Sequence, residues 1–418
     1  ISPYEHHSNY LIWKESFADV VEICLSESGE FDYEDLENKL KFYHDRVKIG
    51  SFSAASNITG IKTDVYRVAK LMHQHKGLVF FDFACSAPYV EINMNKDEES
   101  YFDALFFSPH KFVGGPGSSG ILIINKNIYN NLYPPTIAGG GTVQFVSPYC
   151  YSFVSDVEVR ENAGTPGILQ IIKASLALEV KHLVGVKKII TIEEKMIDKA
   201  ITTLSKESNF IIYGPKDPKK RISILSFNIK HGSFLLHHRF VSKLLNDLFG
   251  IQSRAGCACA GPYAHRLLRI DREKSQALEE ALKEYEVLRP GFVRINFHYL
   301  MSEEEVDYII EALKFVSQFG HLFLSQYYVN LKKGFWKHNY LPEYNPIIDT
   351  FGIKECLENT VQLNHLSIPK KKVFKEYLDE AHRLANHLMI NNKPNYLQFN
   401  EPKYEQLRWF NYQYYKEE

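Results

Sequence analysis

Lys111 stands between a short apolar run, Ala104–Phe107, and a glycine-rich turn, in the stretch Phe-Phe-Ser-Pro-His-Lys-Phe-Val-Gly-Gly-Pro-Gly-Ser-Ser-Gly that spans Phe106–Gly120. Ala104–Phe107 and Ile121–Ile124 both read as buried strands, so the amine is expected at a strand end. A lysine there, beside Ser108 and His110 as anion ligands and with burial to lower its pKa, can act as an amine nucleophile toward a carbonyl cofactor. Pyridoxal 5'-phosphate is a cofactor of that kind. The same residues would equally make a glycine-rich hairpin carrying a solvated lysine, so other stretches have to decide.

Asp82 is the second residue that asks for a chemical reason. It lies in Leu78–Phe83, a run reading Leu-Val-Phe-Phe-Asp-Phe, where a carboxylate needs a partner or must be neutral. A protonated pyridine nitrogen is one such partner, because a pyridoxal enzyme uses a carboxylate there to keep the ring an electron sink. Capping of the turn Ala84–Pro88 is the structural alternative. The third group is the pair of thiols in Gly-Ile-Gln-Ser-Arg-Ala-Gly-Cys-Ala-Cys-Ala-Gly-Pro-Tyr, Gly250–Tyr263. A thiolate on an exposed loop with Arg254 nearby would have a lowered pKa. No second Cys/His pair follows at a finger-like spacing, which argues against zinc, and no metal site is expected.

The elements that must position these groups follow from periodicity. Asp32–Phe42 has helical spacing, with Leu36 and Leu40 four apart and Asp35/Lys39 as a charge pair. Ile49–Ala54 reads as a strand that ends in the turn Ser56–Gly60. Val65–His75 reads as an amphipathic helix and Leu78–Phe83 as a second buried strand. Strand, helix, strand predicts a βαβ unit with a parallel sheet, and ligands of such sheets collect at the carboxyl ends of strands. Asp82 and Lys111 are both expected at such ends. Before them, an apolar helical or strand segment is expected up to Leu25. Later, Ser302–Phe315 and Lys372–Leu388 read as helices.

Length and composition suit this chemistry. The 418 residues allow a large domain with a smaller one. A hydrophobic share of 45% and a charged share of 24% are ordinary for a globular enzyme. A net charge of −1 gives no field for gripping nucleic acid or an anionic membrane. Six cysteines in such a length do not form a disulfide framework and point to a reducing compartment. No apolar run approaches the roughly 20 residues of a membrane span, and Ile1–Asn9 has no signal-peptide pattern.

With Asp82 and Lys111 in place, the chain resembles the class V aminotransferase-fold enzymes, and within them the cysteine desulfurases. The resemblance covers roughly residues 4–315. It implies an α/β architecture of pyridoxal-phosphate fold type I, with a mixed, mostly parallel sheet in a large domain over residues 1–180 and a smaller α+β domain over 181–320 that carries the thiol loop; beyond these the resemblance fades, and 321–418 reads by its composition as an aromatic-rich extension. His6, in Glu-His-His-Ser-Asn, matches the histidine that stacks on the cofactor ring, and Asn57, in Ser-Asn-Ile-Thr-Gly, an asparagine near cofactor and substrate. Asp82 matches the partner of the pyridine nitrogen, Ser108 and His110 match phosphate ligands, and Lys111 matches the Schiff-base lysine. Thr142, after Gly139-Gly140-Gly141, matches a residue that reaches the phosphate held by the other subunit, so the resemblance implies a homodimer. Arg294, in Val-Arg-Ile-Asn, matches the clamp on the substrate carboxylate, and Arg254 is grouped with it and Asn57 on the substrate side. Cys259 matches the cysteine that takes sulfur from a cysteine substrate as a persulfide and leaves alanine.

Three departures qualify the resemblance. Asn162 stands where Glu is usual in the Glu-Ala-Gly-Thr-Pro turn, and Cys85 where many members carry a Gln against the cofactor's phenolic oxygen. The family's Gly/Thr phosphate-binding loop has no counterpart upstream of His6, from which we expect a further N-terminal part of the protein. The implied function is a desulfurase acting on a small amino acid, intracellular in cytoplasm or mitochondrion, with a sulfur-acceptor protein as a further partner. The alternatives are another class V activity (aminotransferase, epimerase or lyase), because relatives without desulfurase activity also carry cysteine in this region, or a catalytically silent subunit of an assembly.

Overall fold

Three strands, β1 (Ile49–Ser53), β2 (Leu78–Asp82) and β3 (Ala104–Phe107), pair in parallel, and β4 (Ile121–Ile124) closes the sheet antiparallel to β3. The computed structural model describes residues 1–340, 369–391 and 393–416; Cys356, one of the six cysteines, and part of the aromatic-rich extension, Tyr344 included, lie outside them. The helix α1 (His7–Lys14) precedes α2 (Tyr33–Phe42), whose N-cap Asp32 accepts from the Glu34 and Asp35 amides, and α3 (Val65–Gln74) joins β1 to β2. The βαβ unit is therefore present. Its register brings Ser53, Asp82 and Phe106 side by side at the carboxyl ends of β1, β2 and β3. Asp35 and Lys39 form the expected i,i+4 pair at 2.6 Å.

Beneath this sheet edge lies an aromatic core. Phe52 packs between Phe31 and Phe81, at centroid distances of 5.6 and 6.4 Å, and Phe81 meets Phe102 edge-on at 4.7 Å. The segment before Leu25 departs from expectation. The helix stops at Lys14 and the chain continues irregularly to an isolated bridge between Leu25 and Phe31; the β-branched Val20, Val21 and Ile23 do not favour a helix there.

By contact, the chain forms two units. The first comprises Ile1–Asp198, Gly214–Ile224 and Cys259–Tyr263, and so holds the thiol loop segment that the sequence reading placed in the smaller domain. Besides the elements above it contains the hairpin β5 (Val143–Val146) and β6 (Tyr151–Phe153), the short α4 (Val157–Arg160), α5 (Ile168–Val184) and most of α6 (Val186–Leu204).

The second unit comprises Lys199–Tyr213, Leu225–Ala258 and the chain from Ala264 onward. Its sheet is built from β7 (Phe210–Tyr213), β8 (Ile224–His231), β10 (Arg254–Gly256) and β11 (Phe292–Asn296) in the order β10-β11-β8-β7, with β9 (Phe234–Leu235) beside β8. The helices α7 (His238–Phe249), the later part of α8 (Gly261–Leu267), α9 (Arg272–Ala281) and α10 (Glu303–Phe319) follow, the last opened by a capping box of Ser302 and Glu305. The aromatic-rich stretch after residue 320 belongs to this unit. There β12 (Tyr327–Asn330) pairs with β13 (Trp336–His338) and, past α11 (Lys370–Asn391) and α12 (Pro402–Glu405), with β14 (Tyr414–Lys416). Phe374 of α11 stacks on Tyr308 at 4.1 Å, and Trp409 stacks on the buried His237 at 4.9 Å.

Candidate active site

The carboxyl edge of the parallel sheet opens onto a cavity of about 630 Å³ in the first unit, lined by His6, Asn57, Asp82, Cys85, Ser108, His110 and Lys111 among others. That volume lies within the range of small-ligand sites, roughly 300–1,000 Å³. Asp82 ends β2 and is 8% exposed. Its carboxylate accepts from the Ala84 amide at 2.7 Å, so the capping role is real. Capping does not neutralise it. Burial pushes the carboxyl up to about 6, and the upward pull of Glu5 adds to it against the Ala84 amide and Lys111. A cation at this wall would favour the ionised form and lower the pKa again.

Lys111 reaches the cavity on a 3₁₀ turn, Pro109–Lys111, directly after β3. Pro109 at the first turn position fixes its entry, and Gly115 folds the chain back so tightly that a Cβ there would sit 1.8 Å from the Pro109 carbonyl oxygen. Lys111 and His110 are exposed, not buried as expected for Lys111, because the turn lifts both out of the strand layer. Ser108 is the turn's N-cap, and its side chain makes no capping bond.

Glu5 and His7 make contacts around the site that sequence reasoning passed over. The Glu5 carboxylate is 3% exposed and accepts from the Ser2 amide, the Asn9 Nδ2, the Ser53 amide and the Ser53 Oγ, at 3.1, 2.7, 2.9 and 2.6 Å. It welds the start of α1 to the end of β1. His6, the N-cap of α1, lines the cavity, while its Nδ1 accepts from the Ser8 amide at 3.2 Å. His7 faces the thiol loop instead. Its amide donates to the Cys259 carbonyl at 2.7 Å, and its Nε2 accepts from the Gly261 amide at 2.8 Å. The only signal in the sequence was the Glu-His-His triplet itself.

The remaining candidates are dispersed. Cys85 lines the cavity, and its Sγ donates to the Ala55 carbonyl at 2.9 Å. Thr142 is fully buried and spends its hydroxyl on its own turn, donating to the Gly139 carbonyl at 2.8 Å and accepting from the Gly139 amide at 3.2 Å. Asn162 donates from Nδ2 to the Glu158 carbonyl. Arg294 and Arg254 lie in the second unit, opposite each other across β10 and β11. Cys259 is partly buried and has φ +58°, next to Ala258 at +52°, two successive left-handed residues that are not glycine.

The cavity suits the cofactor that the resemblance implies. A buried carboxylate whose pKa is raised by burial, a lysine amine and two side chains able to bind phosphate, Ser108 and His110, line one space. The family model for aminotransferase class-V matches residues 1–309. A probable cysteine desulfurase of Pyrococcus abyssi is 30% identical over 317 residues, covering 75% of this chain and 70% of that protein. One from Halalkalibacterium halodurans is 27% identical over 328 residues, covering 77% and 72%. Among solved structures, the apo cysteine desulfurase of Thermococcus onnurineus NA1 matches with a TM-score of 0.64 and 27% identity over 76% of this chain and 72% of that one. The chain belongs to the class-V aminotransferase family of pyridoxal-phosphate-dependent transferases, close to the cysteine desulfurases.

Proposed function

We propose that the protein is a cysteine desulfurase that moves the sulfur of L-cysteine onto Cys259 as a persulfide and releases alanine. The observation that carries this reading is the tethering of the Cys259 loop to α1, one residue from a wall of the cavity, through the Cys259 carbonyl and the Gly261 amide. The net reaction balances without outside redox partners: a protein thiol and cysteine give a protein persulfide and alanine. Pyridoxal phosphate bound in the cavity would supply the electron sink for cleavage of the substrate's carbon–sulfur bond.

The chain's own residues divide the remaining work. Lys111 supplies the amine that anchors the cofactor and moves a proton at its Nζ. Asp82 would hold the pyridine nitrogen, His6 would face the ring, and Ser108 and His110 would bind the phosphate. Asn57, Arg294 and Arg254 are assigned to the substrate, Arg294 to its carboxylate. A thiolate at Cys259 is the sulfur acceptor, and a sulfur-acceptor protein is the onward partner.

A second copy of the chain is part of this reading, with Thr142 at the neighbouring phosphate. It is supported by the exposed apolar face of α5, where Ile168, Leu169, Ile172, Leu176 and Leu183 are 51–77% exposed. The test of function is incubation with L-cysteine and pyridoxal phosphate. Alanine and sulfide in equal amounts under a reductant support the reading, whereas amino-group transfer to a keto acid without sulfide contradicts it.

A further inference from the structure

We propose that His7 is a positioning residue for the thiol loop, acting through two hydrogen bonds made by one residue on either side of the Cys259–Gly261 backbone. The inference rests on Cys259 being the sulfur acceptor. It starts from the N-terminus of α1, whose first amides have no partner inside the helix. Ser8 gives its amide to His6 Nδ1 and Asn9 gives its own to the His6 carbonyl. The remaining amide, that of His7, goes to the Cys259 carbonyl at 2.7 Å.

The His7 side chain then closes the clamp. A backbone amide can only donate, so the 2.8 Å contact from Gly261 makes Nε2 an acceptor and puts the proton of the neutral ring on Nδ1. Burial lowers the His7 pKa and favours that neutral form. Close approach is built in, since a Cβ on Gly261 would stand 3.2 Å from His7 Nε2. Further along, the Tyr263 hydroxyl meets Thr59 Oγ1 at 3.3 Å, and its ring packs on the buried Tyr4 at 5.6 Å. The segment is thus held at its middle by His7 and at its end by Thr59 and Tyr4.

This arrangement gives the left-handed backbone at Cys259 a cause. A non-glycine residue in that region persists only where its surroundings hold it, and the two bonds to His7 fix the chain immediately after its Cα, at the Cys259 carbonyl and the Gly261 amide. They engage the backbone of the loop, so they aim the thiol without consuming it. Glu5 fixes the other side of the clamp, because it locks the start of α1 onto Ser53 at the sheet edge.

His7→Ala and His7→Gln test the clamp, the amide oxygen of Gln being able to accept in place of Nε2. In the apo protein, Cys259 alkylation by iodoacetamide, read on its peptide by mass spectrometry, should run about ten-fold faster in His7→Ala, the factor one hydrogen bond carries. It should return toward the wild-type rate in His7→Gln. In the protein loaded with pyridoxal phosphate, single-turnover persulfide formation at saturating cysteine should fall by about the same factor in His7→Ala, while KM for cysteine changes by less than about two-fold. Wild-type rates in His7→Ala for both readouts would overturn the proposal, as would a His7→Gln protein as impaired as His7→Ala. A wild-type protein that forms no persulfide would instead remove the desulfurase reading, and the alkylation rates would still decide whether His7 holds the loop.

Discussion

Ser53 donates its hydroxyl to Glu5 Oε2 at 2.6 Å and its amide to Glu5 Oε1 at 2.9 Å, so one buried carboxylate ties the last residue of β1 to the segment that carries His6 and His7. The same Ser53 is paired with Asp82 across β1 and β2. Sheet edge, cavity and thiol loop are thereby referred to one point in the structure.

Glu5→Ala should leave Ser2, Asn9 and Ser53 donors unsatisfied in a buried space. A cost of about 2–4 kcal/mol is expected from several such groups acting together. Urea unfolding of the apo protein measures it, and a loss below about 1 kcal/mol would remove Glu5 from its structural role.

Asp82 makes stability depend on pH with a defined sign. Its carboxyl rises from 3.8 to about 6 on folding, so between about pH 4 and 6 the folded state holds more of this proton than the unfolded state does. Stability from this group is therefore greatest below about pH 4, falls as pH rises through that window, and is level above it. The full fall is on the order of 3 kcal/mol. Unfolding midpoints of apo wild type and Asp82→Asn between pH 4 and 7 should diverge by that amount, whereas parallel profiles would contradict the burial argument. With pyridoxal phosphate bound, Asp82→Asn should stay folded and lose turnover by about two orders of magnitude or more, as the ring loses its charged partner.

Lys111→Ala should abolish the visible absorbance band that wild type develops with pyridoxal phosphate and that borohydride traps. A band that persists would move the cofactor's anchor to another lysine. Lys181 would be the next to test, because burial pulls its pKa down to about 8, although its Nζ is committed to the Ala87 and Val90 carbonyls at 2.6 Å each.

The sheet was legible because its strands are short, apolar and aromatic. Ala104–Phe107 and Ile121–Ile124 form with the boundaries expected, although Leu122 and Ile123 are exposed rather than buried, and β1 and β2 each end one residue early. Asp82 was legible for a related reason, since a carboxylate among Val79, Phe80, Phe81 and Phe83 announces itself by its cost. The exposure of Lys111 was not, because strand periodicity says nothing about the 3₁₀ turn that follows β3. Nor was the division of work between His6 and His7. Adjacent residues at a helix start point in different directions, and only the packing of a segment more than 250 residues away gives His7 its partner. Thr142 illustrates the converse, since a local turn that satisfies a hydroxyl with its own backbone leaves no mark on composition or spacing.

Cys257→Ser should retain at least part of the desulfurase activity, and Cys259→Ser should lose persulfide formation while still binding cysteine, seen as a change in the visible spectrum. The most direct test of the account is mass spectrometry of the wild-type protein after incubation with pyridoxal phosphate and L-cysteine. One added sulfur on the Cys259 peptide, absent in Cys259→Ser and accompanied by one equivalent of alanine, is the predicted result. Alanine or sulfide formed at the wild-type rate with Cys259 unmodified, or no product from cysteine at all, would contradict it.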